Sequence, residues 1–130
     1  MATVNLTKDT FEETITENDI VLVDFWAEWC GPCKAFGPTY ESVSERHEGV
    51  VFAKVDTEAE QELAAYFQIR SIPTLMIFRD NIGIFSQPGA LPETALEDLI
   101  EQTKGLDMDS VRKEIAEQSD EHDHDHEHSH

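Results

Sequence analysis

Short, nearly continuous apolar runs alternate along this chain with stretches whose apolar residues recur every three or four positions. The runs IVLVDFWA (20–27) and VVFAKVD (50–56) are apolar almost throughout, as in central strands covered on both faces. Thr3 to Leu6 reads as a short first strand, after which Thr7 or Asp9 can cap a helix carrying Phe11 and Ile15. A longer helix is predicted from about Cys30 to His47, with Pro38 inside it as a source of a kink. EAEQELAAYF (58–67) is predicted helical, with Leu63, Ala64 and Phe67 on one face. Thr74 to Phe78 and Ile82 to Ser86 flank Arg79-Asp80-Asn81. Because Asp and Asn tolerate positive φ, this segment reads as a tight hairpin. Pro88-Gly89 stops the second of these strands, and residues 92–104 form a closing helix with a proline at its start.

Strand–helix–strand–helix–strand, then a hairpin and a helix, predicts an α/β fold with a mixed sheet between helices. Residues 1–105 account for it as one domain. Beyond Gly105 the pattern weakens. Met108, Val111 and Ile115 stand at helical spacing after an Asp109 cap, which predicts a helical extension over 106–118. The segment 119–130 ends in DEHDHDHEHSH and has no apolar residue, so it is expected to be a disordered tail of acids and histidines.

The 130 residues suffice for one domain with a real core. Acids outnumber bases 28 to 9, a net charge of −19 that repels phosphates and anionic lipid headgroups. Nucleic acid and membrane surfaces are therefore disfavoured as partners. No apolar run approaches the ~20 residues needed to cross a bilayer. The first residues, MATVNLTKDTFEE, lack the basic and apolar regions of a secretory leader. A cytoplasmic address is expected, where ordinary thiols stay reduced. A monomer is the simplest expectation.

The only two cysteines, Cys30 and Cys33, stand two residues apart in DFWAEWCGPCK, just behind the first buried strand. They could be a structural disulfide, a metal site, an inert buried pair or a working redox couple. A disulfide closing so short a loop restricts the unfolded chain little. A closed zinc site wants about four ligands, and this pair supplies two. The nearest histidine, His47, lies at the far end of the same predicted helix, and the other five are in the tail. The redox reading accounts for more of the stretch. With a helix starting near Cys30, the unpaired N–H groups and the dipole stabilise a thiolate there, the form that attacks disulfides. Cys33, one turn further on, is placed to attack the resulting mixed disulfide. Gly31 allows close approach, and Pro32 fits the first turn without losing a helical hydrogen bond.

WCGPCK after VLVDFWA resembles the active-site signature of the thioredoxin family. The likeness extends to Asp24, Trp26, Ala27, Trp29, Lys34 and Pro38, to Lys54 in FAKVD, to the run Ile69-Arg70-Ser71-Ile72-Pro73-Thr74, and to Gly89-Ala90. It covers about residues 3 to 104. It implies the thioredoxin fold, with five strands in the order 1-3-2-4-5, the last two antiparallel, and helices on both faces. In the family the Asp at position 24 lies under the second cysteine and exchanges protons with it, with Lys54 beside it. An Asp alone in an apolar strand should also have a raised pKa. The bland alternative is an aspartate that solvates a turn. Pro73 corresponds to a cis-proline facing the cysteines, and the Ile72 backbone to a pairing site for an extended peptide. Trp29 is expected exposed at the contact surface and Trp26 in the core; Phe36, Phe52, Phe67 and Phe78 are assigned to the core. Departures from the pattern are Asp80-Asn81 in place of Asn-Gly, Gly83, and Pro88 before Gly89. In the family these border the substrate groove.

The resemblance implies a protein-disulfide reductase with Cys30, Cys33 and Asp24 catalytic and Lys54, Gly31 and Pro32 supporting. Trp29, Ile72, Pro73 and Gly89 would contact substrate. No cofactor is implied beyond the Cys30–Cys33 couple. NADPH enters only through a thioredoxin reductase, which with disulfide-containing proteins makes up the expected partners. An oxidase or isomerase on the same fold is the first competitor. Gly-Pro between the cysteines resembles the reducing members, whereas oxidising relatives usually carry a histidine there. The second is a non-catalytic module, binding a partner or carrying metal on the tail. No metal is assigned, although His122, His124, His126, His128 and His130 could chelate Ni, Zn or Cu weakly.

Overall fold

In the computed structural model, residues 2–128 are described, with side chains described through Gln118. Five strands, β1 (Thr3–Asn5), β2 (Ile20–Trp26), β3 (Val50–Asp56), β4 (Thr74–Arg79) and β5 (Ile82–Pro88), form one sheet in the order β1-β3-β2-β4-β5. β1, β3 and β2 are parallel, while β4 runs antiparallel to both β2 and β5. The helices are α1 (Lys8–Glu17), α2 (Gly31–Ser44), α3 (Gln61–Tyr66), α4 (Glu93–Lys104) and α5 (Met108–His128).

Strand alternation divides the core into two layers. Leu22, Phe52, Leu75 and Ile77 face α2 and α4, meeting Phe36, Tyr40, Val43, Leu96 and Ile100. Val21, Val23, Phe25, Ala53 and Val55 face the other way, against Phe11 and Ile15 of α1, with Leu63 and Phe67 partly buried beside them. The aromatics assigned to the core are there, Phe67 only partly so. The burial of β2 on both faces explains why its sequence shows no alternation.

Several local expectations shift in detail. Thr7 rather than Asp9 is the N-cap of α1, its N–H donating to Thr10 Oγ1 at 3.0 Å. α2 ends at Ser44, before His47. α3 is shorter than the 58–67 stretch because Asp56 Oδ1 takes the N–H groups of Glu58 and Ala59 and holds those residues in a turn. Pro92 is the N-cap of α4 rather than a residue of it. The hairpin turns on Asp80 (φ 52°) and Asn81 (φ 67°), the two residue types that accept that conformation best after glycine. Gly83 meets the Phe78 ring, so a Cβ there would stand 3.5 Å from it.

After Gly105, Asp107 rather than Asp109 opens α5, accepting the N–H groups of Asp109 and Ser110. Two arginines tie this extension to the hairpin. Arg79 Nη1 donates to the carbonyls of Thr103 (2.6 Å), Lys104 (3.3 Å) and Leu106 (3.0 Å), at and just beyond the end of α4. Arg112 reaches Asp80 from α5 (3.3 Å). The side chains of the expected tail, including the five histidines, lie outside the described residues. At the same end of the molecule, Lys104 Nζ donates to His47 Nδ1 (2.8 Å), leaving the Nε2–H to donate to Glu97 (3.1 Å). Centred on the buried His47, this contact joins the segment after α2 to α4. Arg79→Ala removes the shared donor from three carbonyls. It is expected to cost about 1–3 kcal/mol in denaturant unfolding and to speed amide exchange at 103–111.

Candidate active site

The parallel strands β2 and β3 end at the same edge of the sheet where β4 begins and β5 finishes, so four chain segments meet there. The chain leaves β2 at Trp26, crosses Ala27 to Trp29, and enters α2 with Cys30 as N-cap. Cys30 and Cys33 are joined as a disulfide, their Cα atoms 5.2 Å apart. The Cys33 N–H, one of the four at a helix start that lack an intrahelical acceptor, donates to Cys30 Sγ at 3.2 Å. A sulfur that accepts a backbone N–H at the positive end of a helix is stabilised as an anion once the disulfide opens. Gly31 and Pro32 fill the first two helical positions, where proline's missing N–H leaves no acceptor unsatisfied.

Three further segments frame the sulfurs. The Ile72–Pro73 bond is cis, and the Ile72 carbonyl oxygen lies 3.6 Å from Cys30 Sγ. Gly89 donates its N–H to the Pro73 carbonyl at 2.8 Å, with φ +103°, a conformation that excludes side-chained residues. Pro88 pairs with Thr74 at the very end of β5, where its lack of an N–H does not interrupt the ladder. Trp29 is 69% exposed, whereas Cys30 is only 3% exposed. The Trp29 indole N–H donates to Glu58 Oε1, a partner that no feature of the sequence near Trp29 announces.

Asp24 occupies the same face of β2 as Leu22, the face that α2 covers, and is 1% exposed. Neither of its carboxylate oxygens has a hydrogen-bond partner within the protein. Burial drives its pKa from 3.8 to about 7, and the positive charge of Lys54, its register partner on β3, works in the opposite direction. The turn-solvating alternative is thereby excluded. Lys54 Nζ lies 4.5 Å above the Trp26 ring, a cation–π contact. Trp26 is half-buried against the Cys30–Cys33 cluster, not in the main core. Tyr40, on α2 above this patch, is fully buried and donates to the Ala53 carbonyl at 2.8 Å. Nothing local to Tyr40 or Glu58 marks them in the sequence, because each acts through a partner distant along the chain.

Among the described residues, no group of three or more His, Cys, Asp or Glu side chains is arranged to hold a metal ion. None of their helices is long and apolar enough to cross a membrane.

A Cys30–Cys33 disulfide at a helix start, beside a cis-proline on an α/β sheet, defines a thiol–disulfide exchange site. A family model named Thioredoxin matches residues 2–102. Putative thioredoxin 2 of Streptomyces coelicolor is 62% identical over 117 residues, covering 90% of this chain and 87% of that protein. Thioredoxin 1 of a Nostoc species is 39% identical over 103 residues, 78% of this chain and 96% of its own. The solved structure of a mutant thioredoxin from Halobacterium salinarum superposes with a TM-score of 0.74 at 35% identity, over 80% of this chain and 91% of that one. The chain belongs to the thioredoxin family, and it is a thiol–disulfide oxidoreductase working through its own Cys30–Cys33 couple.

The buried carboxyl sets a pH dependence. The folded state holds the Asp24 proton more tightly than the unfolded chain does. Its relative stability is therefore full below 3.8, falls as pH rises towards about 7, and levels off above that. Asp24→Asn should match the parent near pH 3.5 and exceed it increasingly up to pH 7. The gap should reach, at most, on the order of 4 kcal/mol, read from denaturant midpoints across that range. A gap that does not change with pH would contradict the assignment.

Proposed function

We propose that the chain reduces disulfides in other proteins and is recharged by a thioredoxin reductase drawing on NADPH. The observation that carries this reading is the Cys30 sulfur at the α2 N-cap, accepting the Cys33 N–H. In the dithiol form, Cys30 ionises to a thiolate and attacks one sulfur of the target disulfide. A Cys30–target bond forms, and the other target sulfur departs as thiolate. Cys33 then gives up its proton, attacks Cys30 Sγ and expels the second target sulfur. The target leaves with two thiols and the Cys30–Cys33 disulfide is restored. Attack is fastest when the nucleophile ionises near ambient pH, and the helix start supplies that condition.

Asp24 serves as proton acceptor for Cys33 in the second step. It stands on the strand face beneath α2, and a carboxyl with a pKa of about 7 exchanges protons efficiently at neutral pH. Lys54 supports it as the neighbouring cation. Trp29, Ile72, cis-Pro73 and Gly89 line the edge where an extended target segment lies, with the Ile72 backbone pairing to it. The Gly31-Pro32 pair between the cysteines is that of reducing relatives. A reducing compartment such as the cytoplasm is the setting in which the dithiol form persists. Residues 1–105 carry the activity, while 106–118 and 119–130 are additions to it.

The test is turbidimetric reduction of insulin by NADPH and a thioredoxin reductase, run with the full chain and with residues 119–130 removed. Both should reduce insulin at similar rates, and Cys30→Ser should abolish the reaction. Cys33→Ser should leave mixed disulfides that survive non-reducing electrophoresis, because the resolving thiol is gone. Full turnover by Cys30→Ser would overturn the proposal. Asp24→Asn is expected to slow turnover by roughly 10²-fold, on the scale of general-base contributions, with the loss greatest near neutral pH.

A further inference from the structure

Charge is unevenly placed around the disulfide. Where β3 runs on towards α3, two exposed carboxylates stand by Trp29: Glu28 precedes it in the chain, and Glu58 accepts its indole N–H. The Glu58 backbone is itself held, its N–H donating to Asp56 Oδ1 at 2.9 Å, while its carboxylate is tied to Trp29. On that side Lys8 is already engaged: it pairs with Glu62 at 3.2 Å, and its backbone N–H donates to Glu60. Among the described residues, no lysine or arginine forms an ion pair with Glu28 or Glu58. Ile72, Pro73 and residues 87–90 on the opposite side are uncharged, and the exposed cations of the neighbouring segments are Arg70, two residues before Ile72, and Lys34, in the first turn of α2.

We propose that Glu58, assisted by Glu28, is a specificity-determining residue that favours target disulfides flanked by lysine or arginine on the side meeting Trp29. An unpaired carboxylate at the mouth of a contact surface attracts a cation during encounter. It also repels acidic flanks, so it discriminates in both directions. The indole contact gives Glu58 a second part. Trp29 is the exposed aromatic of the surface, and its N–H donates to Glu58, so ring and carboxylate are held together where a target segment would meet them. The inference rests on the disulfide-reductase reading and concerns only which targets that site prefers.

Three synthetic peptides, each closed by one disulfide, serve as probes, with lysine, glutamine or glutamate on both sides of the cysteines. Each is reduced by the full chain regenerated with dithiothreitol, at low and at high salt. For the parent protein at low salt, kcat/KM should fall from the lysine to the glutamate peptide by roughly 10-fold or more, and the spread should shrink as salt screens it. In Glu58→Gln and in Glu28→Gln/Glu58→Gln the lysine-to-glutamine ratio should approach one. Taking the ratio removes any general effect of releasing Trp29. Glu45→Gln/Glu48→Gln makes the same change of charge beyond the far end of α2 and should keep the parental ratio. If that distant pair flattens the preference equally, the overall charge of −19 is responsible and the proposal is overturned. Equal rates for the three peptides with the parent protein overturn it too. Failure to reduce any peptide instead removes the reductase reading on which it stands.

Discussion

The hydrogen bond from the Cys33 N–H to the Cys30 sulfur is the contact on which the rest of the structure depends. It exists because α2 begins only a few residues past the end of β2, so the donors of its first turn open onto the edge of the sheet. A helix start is a place where polar groups go unpaired in any fold. Here one of them is given to a sulfur, and stabilising that sulfur as an anion is the chemical act that disulfide exchange requires. The cis-proline segment and the end of β5 reach the same end of the sheet, where the Ile72 carbonyl meets Cys30 Sγ and the Gly89 N–H donates to the Pro73 carbonyl.

Asp24 shows what this arrangement costs. A carboxyl in the middle of the most buried strand, with both oxygens unpartnered, opposes folding whenever solution pH would ionise it. The Lys54 charge reduces the penalty without removing it, since the ammonium also lies over the Trp26 ring. An apolar residue there would make a more stable strand. The carboxyl instead stands on the face that α2 covers, with its pKa raised to about 7. Stability is recovered elsewhere. At the other end of the sheet, Arg79 satisfies three carbonyls, and His47 is locked between Lys104 and Glu97. The two ends thus divide the labour, one holding unpaired groups in readiness and the other leaving few unpaired.

Periodicity made most of the strands and helices legible, because apolar runs of seven or eight residues and stripes at helical spacing reflect burial directly. The CxxC pair and its glycine-proline filling were equally plain, since each residue type there serves a local backbone need. Boundaries were less so. The shortening of α3 by Asp56, the start of α5 at Asp107 and the half-burial of Trp26 are settled by which acceptor or neighbour lies nearest once the elements are packed.

The order of residues by itself determined the α/β alternation, the placement of two thiols at a helix start, and an isolated carboxyl in an apolar strand, because these follow from contacts within a few positions. Only the tertiary structure decided that Glu58 holds the Trp29 indole, that Lys54 stands against both Asp24 and Trp26, and that Arg79 closes the end of α4. The partners in each of those pairs lie far apart along the chain. What joins them is the crossing of parallel and antiparallel strands in one sheet, which no local preference encodes.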